Sequence, residues 1–248
     1  MTEEKKVNVS QIFLTDNEDE IKIPPLLQQR TESIKKMFGN LNEYKLYTNS
    51  TLRQFISENY PERVLKAYDK LKPYSYKADL GRFCVVNKVG GWYFDIGTYG
   101  FRENLSLQID ENIDMIVASD MQKYVQRFFC AWTGIFYSKK NNPILSKAIE
   151  IIVENCESNY YGKTQLDPTG PVVFGKALAM LGTDMNIIYA HHMELTPGMV
   201  KKNVAFVLPE GFILCFCKNC SGGDLTALGC TGVNNYGDMW RQKNIYNY

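Results

Sequence analysis

The chain has 248 residues, 45% of them hydrophobic, enough to build one sizeable α/β core. Its formal net charge is +1, so it offers no global field to steer a polyanion, and nucleic acid is not expected as a partner. Apolar runs such as Phe212–Cys217 are far too short to span a bilayer, so no transmembrane segment is expected.

Taken in order, the charged start Met1–Lys6 lacks an apolar targeting segment, which predicts a cytoplasmic protein. Val7–Leu14 mixes alternation with an apolar end and predicts a first strand. Pro24-Pro25 opens a helix to Phe38, which Gly39-Asn40 stops. Glu43–Tyr47 reads as a short strand, and Thr48–Thr51 supplies cap chemistry for a helix reaching Phe55-Ile56. Pro61 starts another helix, with Val64, Leu65, Tyr68 and Leu71 at helical spacing. A helix over Ser75–Lys88 follows, its Leu80, Phe83 and Cys84 facing the core, and Gly90-Gly91 ends it.

Trp92–Asp95, Met115–Ser119 and Phe128–Tyr137 supply further strands. Pro143 begins a helix to Cys156, and Thr169-Gly170-Pro171 begins one running to Leu181. Asn186–Ala190, Val204–Leu208 and Phe212–Cys217 are late strands, and Ser221–Tyr248 is a polar, aromatic tail. Strands alternating with helices predict an α/β fold, a mixed but mostly parallel sheet flanked by helices, in a single domain over 1–248.

Asp79 and Arg82 are three apart on one helix face, where a carboxylate can hold hydroxyls and a guanidinium can hold a phosphate or orient the carboxylate. Asp95 ends an aromatic strand. A lone carboxylate there avoids a large desolvation cost only by facing a crevice, where it can meet a cation or a ribose hydroxyl. Together the three residues predict a ligand site; the plainer readings are a solvated i,i+3 pair and a loop residue capping its own turn.

Other groups carry less. Seven cysteines, an odd number, suit a reducing compartment. Cys215, Cys217, Cys220 and Cys230 lie close together, but their spacing is not that of a structural zinc site, and buried or loop thiols are expected. His191 and His192 are adjacent on a strand and point to opposite faces, which argues against both serving one site. No Gly-x-x-x-x-Gly-Lys loop and no Gly-x-Ser-x-Gly elbow is present, which removes two large enzyme classes.

The ordered series Ala78-Asp79, Arg82, Gly90-Gly91 and Trp92-Tyr93-Phe94-Asp95 resembles glycosyltransferase family thirty-two, retaining enzymes of the Rossmann-like GT-A fold with a DXD motif. Gln11–Leu14 is similar to the family's first strand, Glu43–Thr48 to its second, and Asn142–Ser146 and Thr169-Gly170-Pro171 to its later segments; the likeness covers residues 7–181 and, more weakly, the tail.

The resemblance implies transfer of a sugar from a nucleoside-diphosphate sugar, UDP- or GDP-linked, to a glycan or glycolipid acceptor with retention of configuration, in surface polysaccharide synthesis. It implies a nucleotide-sugar half over 7–100 and an acceptor half with a closing tail over 101–248. It implies catalytic roles for Asp79 and Asp95. Donor binding is implied for these two and for Leu14, Thr15, Lys77, Arg82, Gly91, Gly97, Thr169, Gly170, Asn235 and Trp240, with Asn234 and Tyr236 as further tail candidates. Asp120 is either an exposed loop carboxylate or a group orienting the acceptor. An acceptor made at a membrane implies peripheral association with its inner face.

The departure is at Asp95-Ile96-Gly97, where the family has a second Asp that binds a divalent metal, Mn2+ or Mg2+. Glycine supplies no ligand. Three outcomes follow: metal held by Asp95 with the diphosphate, water and Asn235 or Asp238; cationic replacement by Arg82, Lys77, Arg241 or Lys243; or lost activity. Retained activity with altered metal use is the expectation. The alternative is a non-catalytic homologue that binds a sugar nucleotide or glycan as a partner or regulator; a nucleotidyltransferase would need a Gly-rich basic loop after the first strand.

Overall fold

Strand β1 (Asn8–Ile12) leads into α1 (Pro25–Phe38), β2 (Glu43–Tyr47), α2 (Asn49–Asn59), α3 (Glu62–Lys70), α4 (Tyr74–Val89) and β3 (Gly91–Phe94). The chain continues through β4 (Met115–Ser119), β5 (Ile135–Ser138), α5 (Pro143–Glu157), α6 (Pro171–Leu181), β6 (Ile187–Glu194), β7 (Val204–Val207), β8 (Ile213–Phe216) and α7 (Tyr236–Arg241). The computed structural model describes residues 7–16, 23–38, 43–105, 109–120, 129–195, 204–217, 225–230 and 234–247. Met1–Lys6, Gly39-Asn40, Phe128, Cys220 and the first residues of the tail, named above, lie outside the described residues.

The strands form one mixed sheet in the order β2-β1-β3-β5-β4-β6-β7-β8. β1 pairs in parallel with β2 and β3, and β4 with β6, whereas β5 runs antiparallel to β3 and β4, and β7 to β6 and β8. The expected parallel character therefore holds for strand direction but not for pairing. The two reversed strands, β5 and β7, are interior, so each converts two junctions to antiparallel. Sheet curl brings the β8 end back toward the segment after β3, where Tyr99 and Phe216 exchange both backbone hydrogen bonds at 2.9 Å.

Side-chain alternation builds a core on each face of the sheet. Trp92 and Phe94 of β3, with Val9, Ile116 and Ile135, pack against Ile34, Met37 and Phe38 of α1. Tyr93, Met115, Val117 and Phe136 face the opposite way, into a larger core built with α2 to α6. α4 lies at the centre of that core. It is buried nearly all round, from Asp79 through Asn87, which is the signature of an interior helix. Its polar Asp79 and Arg82 are therefore inside the protein and require partners.

The tail does more than cover the surface. Ile245 and Tyr246 are fully buried, Leu71 bridges Tyr246, and the Tyr246 hydroxyl donates to the Tyr160 carbonyl at 2.6 Å. Among the described residues no helix is long and apolar enough to cross a membrane.

Candidate functional site

β1 connects outward to β2 and the chain then returns to place β3 on the other side of β1, so a topological switch point lies between β1 and β3. Crevices outside the carboxyl ends of strands open at such points. Here a cleft opens there, lined by Ile12, Phe13 and Leu14 from the β1 end, by Tyr93, Asp95 and Ile96 from the β3 end, and by Ala78 and Arg82 from α4. Tyr74, Ser75, Leu225 and Asn234 complete the wall.

Arg82 organises the polar floor. Its Nη1 lies 3.0 Å from Asp95 Oδ1 and donates to the Thr133 carbonyl at 2.7 Å, while Nη2 lies 3.3 Å from Asp79 Oδ1 and Nε donates to the Ala78 carbonyl at 3.1 Å. The guanidinium also stacks over the Tyr93 ring at 4.7 Å. Burial opposes its charge, but the fields of Asp95, Tyr93 and Asp79 outweigh that and hold it above the ordinary arginine range.

Each carboxylate has further donors. Thr169, wholly buried, donates its hydroxyl to Asp79 Oδ2 at 2.8 Å, and Thr133 approaches Asp79 Oδ1 at 3.4 Å. The Tyr93 hydroxyl donates to Asp95 Oδ1 at 3.0 Å. The Asp95 backbone is fixed as well, donating N–H to Gly134 at 2.7 Å and accepting from Gln11 Nε2 at 3.3 Å. The result is a preorganised cluster of two carboxylates and one guanidinium, net negative by one charge on simple ionic bookkeeping.

Gly97 has a structural reason to be glycine. Thr98 N–H closes on the Asp95 carbonyl at 3.1 Å, and Gly97 has φ +87°, the value that the third position of a type II turn requires. Its carbonyl accepts from Arg30 of α1. A side chain at this position would have to adopt a left-handed backbone, so both the missing ligand and the turn belong to the same residue.

Several residues expected at the site stand elsewhere. Gly91 opens β3, at the end opposite Asp95; a Cβ there would lie 2.2 Å from the Asn8 carbonyl, so its glycine permits close strand approach. Lys77 donates to the Tyr68 carbonyl at 2.8 Å and covers the Tyr68 ring. Trp240 donates to the Tyr161 carbonyl at 2.7 Å and packs against the main core. Asn235 caps α7, its side chain accepting from Gly237 and Asp238, while Asp238 pairs with Arg241 on the surface. The ammonium of Lys243 covers the Tyr161 and Trp240 rings. Of the tail candidates, Asn234 stands at the cleft, its side-chain oxygen accepting from Tyr74 N–H at 2.9 Å.

Leu14 lines the cleft, and Thr15 N–H donates to Asn49 at 3.0 Å on its edge. Gly170 stands against the cluster, since a Cβ built there would be 3.2 Å from Asp79 Oδ2. Thr133 and Tyr93 were not read from the sequence as site residues. The only signal for Thr133 is the polar break Thr133-Gly134 inside strand-like sequence.

These donors do not build a resident metal site. Asp95 Oδ1 is engaged by Arg82 and Tyr93, Asn235 and Asp238 are committed within α7, and Gly97 offers no ligand. Among the described residues no group of three or more His, Cys, Asp or Glu is placed to hold a cation. Cys215 and Cys217 are buried thiols whose pKa burial pushes up.

Comparison with known proteins adds an identity. The chain is 35% identical over 75 residues to "Uncharacterized glycosyltransferase L373" of Acanthamoeba polyphaga mimivirus, a match over 30% of this chain and 29% of that one, so it spans under a third of that curated relative. Among solved structures it is similar to "PaToxG Glycosyltransferase", with a TM-score of 0.43 and 18% identity over 71% of this chain and 69% of that one. A sequence profile for "Capsular polysaccharide synthesis protein" matches residues 2–165, and the chain belongs to that family.

Proposed function

We propose that the protein is a retaining glycosyltransferase of GT-A type that moves a sugar from a UDP- or GDP-sugar to a glycan or glycolipid acceptor in polysaccharide synthesis. The observation that carries this reading is the pairing of Asp79 and Asp95 through the buried Arg82 at the β1/β3 switch point. Fixed carboxylates accept hydrogen bonds from sugar hydroxyls, and their orientation is set before the ligand arrives. The base and ribose would lie along Phe13, Leu14 and Tyr74, and the donor sugar over Asp95 and Arg82, with Asp79 and the buried Thr169 behind them.

In the reaction the bond between the anomeric carbon and the diphosphate oxygen breaks, and the acceptor oxygen bonds to the same face of that carbon. The acceptor proton passes to the leaving diphosphate. No protein nucleophile is required, and the protein contributes positioning and charge stabilisation. Because the Asp79–Arg82–Asp95 cluster is net negative, the counter-cation for the diphosphate enters with the donor as part of the substrate.

Incubation with a panel of UDP- and GDP-sugars and acceptor glycosides, with and without Mn2+, tests the proposal; transfer product with retained anomeric configuration is expected. A second reading, a non-catalytic sugar-nucleotide or glycan binder, is favoured by the Gly97 turn, which fixes the absence of the second acidic ligand. Tight donor binding without transfer across the panel supports that reading instead.

A further inference from the structure

A second polar group stands at the same edge of the sheet and has no part in the donor cluster. Asp120 directly follows β4, and His192 belongs to β6, which pairs with β4 in parallel so that Ser119 faces His191. His192 Nδ1 lies 3.5 Å from Asp120 Oδ1, and the two side chains are only 7% and 9% exposed. Trp132 lies flat on the imidazole, with ring centroids 3.8 Å apart and an interplanar angle of 7°. The Trp132 backbone N–H donates to the Ala118 carbonyl of β4 at 2.8 Å, which fixes this residue against the strand.

Among the described residues His192 Nδ1 is buried with no hydrogen-bond partner. A buried nitrogen left unpaired is destabilising and rare in a well-packed protein. An apolar side chain would stack on Trp132 without that cost. The ring is held just beyond hydrogen-bond distance of a carboxylate, as expected where a ligand completes the geometry.

Tyr236 opens α7. Its ring packs on Tyr76 at 5.6 Å, and Asn235 fixes the start of its helix. Its phenol is pushed up to about 12, by burial first and then by the fields of Asp79, Asp120 and Asp95. The phenol is therefore a neutral hydroxyl.

We propose that Asp120, oriented by His192, forms the acceptor subsite and takes a hydroxyl-rich glycan. The Asp120 carboxylate accepts a hydrogen bond from an acceptor hydroxyl, while His192 is a positioning residue that closes its Nδ1–H onto Asp120. Carboxylate acceptors with aromatic neighbours suit the hydroxyls and C–H faces of a sugar and repel phosphate. The proposal rests on the donor reading for which substrate lies on which side, but glycan binding is measurable without it.

The test is saturation-transfer NMR and titration of a panel of p-nitrophenyl glycosides (gluco, galacto, manno and N-acetylglucosaminide) in the presence of UDP or GDP. The wild type is expected to bind at least one glycoside. Asp120→Asn and His192→Gln should each weaken that binding at least tenfold, leaving nucleoside-diphosphate affinity and melting temperature within error of wild type. Where a glycoside is also an acceptor, its KM should rise more than kcat falls. Equal glycoside binding by the variants overturns the proposal, as does the absence of glycoside binding to the wild type. A parallel loss of nucleotide binding or folding shows a merely structural pair and also overturns it. Failure of the wild type to bind either nucleotide removes the donor reading alone; the glycoside titrations then decide the subsite, with melting temperature as the fold check.

Discussion

Arg82 Nη1 and Asp95 Oδ1 lie 3.0 Å apart in the floor of the cleft, and the same guanidinium reaches Asp79 through Nη2 at 3.3 Å. One cation thus holds two carboxylates from different elements, α4 and the end of β3. Removing it leaves two buried carboxylates without the cation that offsets their charge. Arg82→Met is expected to lower unfolding free energy by about 3–5 kcal/mol. Arg82→Lys should recover only part of this, because a point charge cannot replace the planar fork. Urea denaturation of the three proteins decides it, and a lysine variant as stable as wild type contradicts the bridging role.

Thr169 donates to Asp79 Oδ2 from a wholly buried position at the start of α6. Thr169→Val keeps the shape and removes the donor, so stability should fall by about 1–3 kcal/mol. Thr169→Ser keeps the hydroxyl and should remain near wild type in nucleotide-sugar affinity, while the valine variant weakens. Isothermal titration of all three separates the hydrogen bond from simple packing.

Gly97 carries a prediction opposite to the one the motif suggests. Introducing the missing acid, Gly97→Asp, forces a side chain onto a backbone with φ +87°. The variant should lose about 1–2 kcal/mol, the penalty for a left-handed L-residue. Gly97→Ala should lose a similar amount. Mn2+ affinity should not rise in Gly97→Asp; a large gain in manganese binding with unchanged stability refutes the turn argument.

The tail makes a stability prediction of its own. Tyr246→Ala empties a fully buried site and should destabilise by about 3–5 kcal/mol. Tyr246→Phe removes only the hydroxyl bonded to the Tyr160 carbonyl and should cost about 1 kcal/mol. Thermal melts of the pair check both values. Similar melting temperatures for the alanine variant and wild type show that the tail is not an anchor.

How much of this was legible depends on whether a residue's neighbours are local. Asp79 and Arg82 could be read because helical spacing puts them on one face, and Asp95 because a carboxylate ending an aromatic strand needs a crevice. Thr133 could not be read, since its contact with Asp79 crosses 54 positions of sequence and depends on the reversed strand β5. The same reversal, with that of β7, leaves the expected mixed, mostly parallel sheet with more antiparallel than parallel pairings.

Lys77 and Gly91 are near the cluster in sequence but have other partners: the Lys77 ammonium turns toward Tyr68, and Gly91 lies at the far end of β3. In the tail, Asn234 reaches the cleft while Asn235 caps a helix, a difference of one residue that composition does not carry.

On the proposed function, the cleft at the end of β3 binds a nucleoside-diphosphate sugar through Asp95. The most direct measurement is a thermal-shift titration of UDP, GDP and their sugars against wild type and Asp95→Ala, each compared with its own ligand-free melting temperature. A cognate donor should raise the wild-type melting temperature in a concentration-dependent way and shift the variant much less. An equal shift in both proteins contradicts the assignment.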